Sequence, residues 1–117
     1  MLVTSRDTGR WVLPKGWAEK ELSCPQVAEK EAFEEAGIVG VIQRKKMATY
    51  SYWKRLPKKR GVTCNVDVFA MRVTELLDDW PEKTQRERKW FTPGQAAMEV
   101  EEEELILLLL ELAVPAN

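Results

Sequence analysis

A helix that carries three carboxylates on one face is the feature that most constrains this chain. Ser23 can cap its N-terminus, with Gln26 completing a capping box, and Gly37 stands where the C-terminal cap belongs. Between these ends, three glutamates at i, i+3 and i+4 share one helix face: Glu31, Glu34 and Glu35. Like charges at this spacing repel by about 0.2–0.5 kcal/mol per pair, so the pattern indicates a hard divalent cation with oxygen ligands. On charge pattern alone, a solvated acidic helix face is the competing interpretation.

Composition predicts one soluble domain and excludes several kinds of catalysis. The 117 residues are 44% apolar and 32% charged, as in an ordinary globular protein, so we expect a single domain over 1–117. The chain has no histidine, which excludes Ser-His and Cys-His mechanisms and argues against zinc. Cys24 and Cys64 lack metal-site spacing and are expected to be inert. With neither a signal peptide nor a run of about 18–20 apolar residues, we expect a cytoplasmic protein without membrane contact.

A basic segment from Arg44 to Arg60 suggests a strongly anionic partner. It contains no acidic residue and has these basic ones: Arg44, Lys45, Lys46, Lys54, Arg55, Lys58, Lys59 and Arg60. The competing interpretation is a solvated hairpin whose edge is protected by lysines. Aromatic residues among the cations also suggest nucleic-acid binding, but the net charge of −1 argues against that partner.

The remaining pattern predicts strands flanked by helices, which favours an α/β or α+β sandwich. The best strand runs over 62–74 as one alternating segment, antiparallel to 47–53 across a turn at 57–61. The other strand predictions are 1–6, 10–13, 39–44 and 88–91. A second helix begins after Thr92, and the pattern leaves open whether it continues into the leucine run. That run, Leu105 to Leu110, is expected to be buried, with Trp11, Trp80 and Trp90 in the core.

The stretch Gly16–Ile38 resembles the Nudix box. The pattern of that family is Gly, five residues, Glu, seven residues, then Arg-Glu-U-x-Glu-Glu-x-Gly-U, where U is aliphatic. Gly16 and every fixed position from Glu31 to Ile38 match, whereas Leu22 replaces the first Glu and Lys30 replaces the Arg. The resemblance implies an α/β/α sandwich with a mixed central sheet that lacks the family's usual first N-terminal strand.

Further stretches resemble one branch of the Nudix hydrolases. Trp11-Val-Leu-Pro-Lys-Gly16 is similar to the family's entry into the box. The segments 73–80 and 86–91 are similar to the diphosphoinositol polyphosphate and diadenosine polyphosphate hydrolases. The resemblance therefore implies hydrolysis of a P–O–P linkage in a diphosphoinositol polyphosphate or a dinucleoside polyphosphate. The implied partner is an anionic small-molecule diphosphate.

The resemblance also implies the site residues. Mg²⁺, with Mn²⁺ as a substitute, would be held by Glu31, Glu34, Glu35 and the backbone carbonyl of Lys15. The general base would be Glu31 in the box or one of two glutamates in the late loop, Glu82 and Glu87. The expected substrate contacts are the cations and one aromatic residue near the box and in the basic segment: Lys15, Trp17, Arg44, Lys46, Lys54 and Arg55.

Two other functions compete with the enzyme. A catalytically weak Nudix domain could bind a phosphate ligand or regulate a partner, and Leu22 together with the missing first strand favours this alternative. A protein-interaction module could be built on the leucine-rich C-terminal helix. An exposed sheet edge would also invite self-association, so either a monomer or a homodimer is expected.

Overall fold

Seven short strands and three helices make up the part of the chain that the computed structural model describes, residues 1–57 and 60–114. The strands are β1 Leu2–Thr4, β2 Trp11–Val12, β3 Ile38–Ile42, β4 Ala48–Arg55, β5 Gly61–Val68, β6 Met71–Leu76 and β7 Arg88–Lys89. The helices are α1 Cys24–Ala36, α2 Pro93–Glu99 and α3 Glu103–Ala113. The predicted mixed α/β class is confirmed. The absence of a preceding strand stays a prediction.

The ends of α1 are fixed by the residues that the sequence indicates. The Gln26 amide donates to Ser23 Oγ at 3.3 Å, and the Ser23 amide donates to Gln26 Oε1 at 2.8 Å, which completes the capping box. At the other end, Gly37 has φ +63° and its amide donates to the Phe33 carbonyl at 3.0 Å. The helix therefore holds its glutamates at defined positions between two rigid caps.

Replacing Gly37 with alanine is expected to destabilise the fold by at least about 2 kcal/mol. A left-handed residue with a Cβ costs about 1–2 kcal/mol, and this Cβ would also lie 2.6 Å from an atom of the Trp80 ring. Gly94→Ala is the matched control, because its nearest neighbour would be the Ala113 Cβ at 3.9 Å. Urea unfolding of both variants measures the difference. A Gly37→Ala protein as stable as Gly94→Ala would contradict this account of the helix end.

The strands form three small sheets, and all pairings among the described residues are antiparallel. The sheets have the orders β2-β1-β7, β3-β6 and β4-β5. The prediction of one strand over 62–74 is wrong, because the chain leaves the ladder after Val68 and begins β6 at Met71. β5 pairs with β4, as predicted, but β6 pairs with β3. Apolar residues continue to alternate through the break. Alternation shows which face of a strand is buried, but it does not show which strand is the partner.

In its described part, the turn between β4 and β5 forms as the sequence predicts. The Leu56 amide donates to the Arg60 carbonyl at 2.7 Å, and Arg55 lies opposite Gly61 in the register. Lys58 and Lys59, which belong to the predicted turn and basic segment, lie outside the described residues. The turn therefore places Lys54 and Arg55, at the end of β4, and Arg60, immediately before β5, on one hairpin.

Two clusters of buried residues form the core. The larger one joins β1 and β4 to α2 and α3 through Leu2, Tyr50, Ala96, Ala97, Val100, Leu105 and Leu109. The smaller one packs α1 on β1 and β3 through Val3, Ala32, Ala36 and Ile38. Because α1 contributes the face of Ala32 and Ala36 to this cluster, the adjoining face carries Glu31 and Glu35.

The C-terminal segment forms two helices, which answers the question that the sequence left open. The leucine run is buried on one face only, because Leu105 and Leu109 are buried whereas Leu107 is 62% exposed. Neither helix is long and apolar enough to cross a bilayer, and the same holds for α1 among the described residues. The prediction that the leucine run is buried is therefore right for one face of α3 and wrong for the other, as the 3.6-residue period explains.

The three tryptophans predicted for the core have different environments. Trp11 is half-buried and meets the Phe91 ring edge-on at 5.2 Å between centroids. Trp80 is half-buried against Gly37 and under the Arg88 guanidinium, which lies 3.9 Å from the ring centroid. Trp90 is 51% exposed, so its assignment to the core is wrong. A two-residue strand, β7, ends immediately before it and does not carry its side chain inwards.

Candidate active site

A cleft of about 970 Å³ lies between the loop after β2, the helix α1, the end of β4 and the loop before β7. It gathers charged residues that are far apart in the sequence. The predicted site residues that line it are Lys15, Trp17, Glu31, Glu35, Lys54, Arg55 and Glu82. The carboxylates come from α1 and the late loop, and the cations come from the loop after β2 and from β4. The cleft thus places acidic and basic groups on different elements.

Glu31 and Glu35, one helical turn apart, form the acidic centre of the cleft. Glu35 is only 4% exposed and is the one buried charged side chain among the described residues. Burial, and then the hydrogen bond to Glu31, raise the pKa of Glu35 to about 8, although the Arg86 guanidinium acts in the opposite direction. Near neutral pH Glu35 is therefore largely protonated beside Glu31. A divalent cation could neutralise the same pair.

The loop after β2 packs directly on Glu31. An added Cβ at Gly16 would lie 2.6 Å from both Glu31 Cγ and Glu31 Cδ. Only a residue without a side chain allows this approach, which brings the backbone next to Lys15 to the edge of the acidic pair. Gly16, which follows Lys15 in the chain, therefore lies against the Glu31 side chain, and the role of the Lys15 carbonyl as a ligand stays a prediction.

Glu82 reaches the cleft from the late loop and is held there by arginines. Its amide donates to the Glu34 carbonyl at 3.0 Å, which fastens the loop to the end of α1. Its carboxylate accepts a hydrogen bond from Arg86 Nε at 2.8 Å, and Arg6 Nε lies 3.7 Å away. Arg86 also donates to the Thr4 carbonyl at 3.0 Å and lies 3.6 Å from Glu35 Oε1. One guanidinium thus joins the box helix, the late loop and β1.

Glu34 and Glu87 are not among the residues that line the cleft. Glu34 is half-buried and contributes its backbone carbonyl to the contact with Glu82. Glu87 is exposed and lines a separate depression with Trp11 and Trp80. Of the three proposed bases, Glu31 and Glu82 therefore line the same cleft. The roles of all these glutamates stay predictions.

The predicted substrate contacts divide into two groups. Lys15 Nζ lies 5.1 Å from the centroid of the Tyr52 ring, and Lys54 Nζ lies 5.2 Å from that of the Trp17 ring. Burial lowers the pKa of Lys15, while the carboxylates of Glu102 and Glu35 act to raise it. In contrast, Arg44 and Lys46 are exposed and do not line the cleft, although Lys46 pairs at 3.5 Å with Asp67, which does line it.

The two departures from the Nudix pattern are accommodated locally. Lys30 forms an ion pair with Glu19 at 2.9 Å, and this hydrogen bond raises the pKa of the lysine. Glu19 lies three residues before Leu22, which replaces the expected glutamate and lines the cleft. A lysine–glutamate contact to α1 therefore exists, although it is exposed and comes from a different position in the loop.

Arg86 and Arg88 are functional candidates to which the sequence reasoning assigned no role. Arg88 donates to three carbonyls at the end of α1 and in the following segment: Ala36 at 2.8 Å, Gly37 at 3.3 Å and Leu77 at 2.7 Å. Both arginines lie in the run that resembles the diphosphoinositol branch. Their place in that run was the available signal, because Arg86 precedes β7 and strand alternation therefore does not include it.

The oxygen atoms at the acidic pair suit Mg²⁺ better than a metal ion whose ligands must all come from protein side chains. Within residues 1–57 and 60–114, no cluster of three or more His, Cys, Asp or Glu side chains is close enough to hold an ion. The groups that do meet, Glu31 and Glu35 beside the loop backbone, offer only oxygen. Mg²⁺ is typically bound through one or two carboxylates, with waters and substrate phosphates completing its octahedron.

The most similar curated proteins include Nudix hydrolases from plants and mammals. The mitochondrial Nudix hydrolases 12 and 17 of Arabidopsis thaliana are 32% and 31% identical over 82% and 100% of this chain. Diphosphoinositol polyphosphate phosphohydrolase 3-alpha of Homo sapiens is 33% identical over 78%. The chain spans 49%, 64% and 52% of these three proteins, respectively. No protein-family model matches the chain. The resemblance predicted from the box is confirmed.

Proposed function

Because this chain is a homologue of the Nudix hydrolases, we propose that it hydrolyses the P–O–P linkage of an anionic diphosphate substrate with the help of Mg²⁺, or Mn²⁺ as a substitute. The observation that carries the proposal is the pair of Glu31 and Glu35, with Glu35 buried, in a cleft that also presents Lys15, Lys54 and Arg55. Oxygen ligands for a hard cation and positive side chains for phosphate thus meet in one place.

The side chains of the cleft divide the work of the proposed reaction. Glu31, Glu35 and the Lys15 carbonyl would hold the cation, with Glu34 as the further box candidate. A bound divalent ion neutralises phosphate charge and makes a bound water more acidic. The lysines and Arg55 bind phosphate oxygens, and Glu31 or Glu82 accepts a proton from the attacking water. Of these two, Glu82 is the one already oriented by Arg86.

The substrate is proposed to be a diphosphoinositol polyphosphate or a dinucleoside polyphosphate. The cationic wall and the similarity to a diphosphoinositol polyphosphate phosphohydrolase support this range. Arg44 and Lys46 lie outside the cleft, so they would contact only a substrate that extends beyond it. We further propose a cytoplasmic protein that acts as a monomer or a homodimer on small molecules.

A substrate panel separates the enzyme from a domain that only binds. Diadenosine polyphosphates, a diphosphoinositol polyphosphate, ADP-ribose and nucleoside triphosphates are incubated with the protein and Mg²⁺, and both binding and products are measured. The enzyme predicts products from at least one compound, which EDTA abolishes. Binding without products from any compound would support the alternative of a regulatory Nudix domain, which Leu22 favours.

Gly16→Ala is expected to lower kcat/KM roughly 10- to 100-fold with little loss of stability. The new methyl group would overlap Glu31 Cδ and force the carboxylate away from Glu35. Since the end of a glutamate side chain can rotate, the fold should tolerate the change. Gly94→Ala, remote from the cleft, is the control for an added methyl group. Wild-type activity in Gly16→Ala would show that the position of Glu31 is not critical.

A further inference from the structure

Two cation–π contacts in the cleft join the loop after β2 to strand β4. Lys15 of the loop places Nζ 5.1 Å from the centroid of the Tyr52 ring on β4. Lys54 of β4 places Nζ 5.2 Å from the centroid of the Trp17 ring on the loop. All four residues line the cleft, so the loop and the strand each contribute one cation and one aromatic ring.

The alternation of β4 explains which of its side chains meet the loop. Tyr52 and Lys54 are alternate residues of the strand, so their side chains leave the same face. Trp53 lies between them and leaves the opposite face, where its ring packs on Gly61 of its own hairpin. Of the two exposed tryptophans near this end of the cleft, Trp17 is therefore the one that is paired with a lysine.

Trp17 follows the residue at which the loop contacts the acidic pair. Gly16 packs so closely on Glu31 that an added Cβ would lie 2.6 Å from Glu31 Cδ. Because consecutive Cα atoms are about 3.8 Å apart, the Trp17 side chain starts within one residue of this contact. A diphosphate held at Glu31 and Glu35 would thus have the indole ring near the group that it carries.

The contact between Trp17 and Lys54 is one that a phosphate ligand can replace. Trp17 is 64% exposed, and cation–π contacts at exposed sites are weak. A hydrogen bond from an ammonium group to a phosphate oxygen is charge-assisted and therefore stronger. Phosphate bound to Lys54 would draw the ammonium group away and leave the face of the Trp17 ring open in the cleft.

We propose that Trp17 is a specificity-determining residue, which stacks on a planar heterocycle joined to the diphosphate while Lys54 binds a phosphate oxygen. A nucleobase has the flat face that this contact requires, and stacking on aromatic side chains stabilises bound bases. A phosphorylated inositol offers the lysine a partner but offers the ring none, because its carbon ring is puckered and covered by phosphates. The assignment rests on the proposed function for the position of the diphosphate, and it favours the dinucleoside polyphosphates within the proposed range.

Two ligands without a P–O–P linkage test this proposal independently of hydrolysis. α,β-Methylene-ADP has a P–C–P bridge in its diphosphate, and methylenediphosphonate is the same anionic group without the nucleoside. Titration calorimetry with Mg²⁺ present is run with both ligands on the wild type and on the variants of Trp17, Lys54 and Trp53. Trp17→Leu should bind α,β-methylene-ADP about 5- to 50-fold more weakly, as expected for the loss of one stacked base, and should bind methylenediphosphonate normally.

The other variants separate the ring from the lysine. Trp17→Phe keeps an aromatic face and should show a smaller loss than Trp17→Leu. Lys54→Met should weaken both ligands, because both carry the group that the lysine binds. Trp53→Leu removes an indole of nearly the same exposure, 67%, from the opposite face of β4 and should match the wild type. Since Trp17 is exposed, its variants should unfold at the wild-type temperature.

Three results would overturn the assignment of Trp17. They are normal binding of α,β-methylene-ADP by Trp17→Leu, an equal loss of both ligands in that variant, and a selective loss in Trp53→Leu instead. Absence of hydrolysis of every compound in the substrate panel, with the selective loss in Trp17→Leu intact, would refute the proposed function and leave the role of Trp17 in recognition standing.

Discussion

The Glu35→Gln variant is expected to lower the rate of Mg²⁺-dependent hydrolysis by more than about 100-fold. Removing a residue that only supports a metal ligand typically lowers metal affinity or activity by about 10- to 100-fold, and Glu35 is proposed to be a ligand itself. Stability should change little. With its pKa raised to about 8, Glu35 is largely protonated near neutral pH without metal, and glutamine has nearly the same shape and neutral charge. Steady-state phosphate release and thermal unfolding, measured on the same preparation, check both parts of the expectation.

Glu29→Gln is the matched control for this experiment. Glu29 lies on the same helix and is exposed, so the substitution makes the same change of charge away from the cleft. Both variants should unfold near the wild-type temperature, and only Glu35→Gln should be inactive. Full activity of Glu35→Gln would contradict its assignment as a metal ligand.

Arg86→Met is expected to lower both stability and turnover. Its side chain is 11% exposed, donates to the Glu82 carboxylate and lies 3.6 Å from Glu35, so removing it leaves the partly buried Glu82 carboxylate without its nearest cation. Removing one partner of a buried ion pair typically costs about 3–5 kcal/mol of stability. Here we expect a loss of about 2–4 kcal/mol in the free energy of unfolding, because the distance between Arg86 and Glu35 is long at 3.6 Å. A fall in the melting temperature of roughly 10 °C would correspond to this range.

The activity of the Arg86 variants distinguishes a guanidinium that positions Glu35 and Glu82 from one that only contributes to packing. Arg86→Lys restores a charge without the planar fork, so it should recover much of the stability and less of kcat. Arg72→Gln on β6 removes an exposed arginine and is the control for net charge. If Arg86→Met kept the wild-type melting temperature and kcat, the guanidinium would not hold Glu35 and Glu82 in place.

The part of the fold that could be predicted from the sequence is the part fixed by local chemistry. Ser23, Gln26 and Gly37 determine the ends of α1 through contacts within a few residues, and the helix then puts Glu31 and Glu35 together. The β4–β5 pairing follows from alternation on both sides of a short turn. These features depend on neighbours in the chain, which the sequence displays directly.

The rest depends on contacts between distant residues. β6 leaves the hairpin to pair with β3, and nothing in its alternation indicates that partner. Arg86 meets Thr4 across 82 positions, and Ser51 meets Glu104 across 53. The four glutamates before the leucine run are identical in sequence but differ in what they contact. Which of them faces the cleft is decided by the packing of α2 and α3 on β4.

This arrangement connects the fold to the proposed chemistry. The caps fix α1, Arg88 holds the segment that follows it, and Glu82 is tied by its amide to the end of the same helix. The acidic pair and the loop carboxylate are therefore mounted on one rigid support. The cations that would bind phosphate come from the separate β4–β5 hairpin and from the loop after β2, which itself packs on Glu31.

Cleavage of a dinucleoside polyphosphate in ¹⁸O-labelled water tests the central claim most directly, because the claim is that this chain adds water across a P–O–P linkage with Mg²⁺. The account predicts one ¹⁸O atom in the phosphate of one product for each bond cut, and loss of both products on addition of EDTA. A chain that binds the substrate with Mg²⁺ but yields no labelled product, or cleaves it equally well in EDTA, would contradict the account.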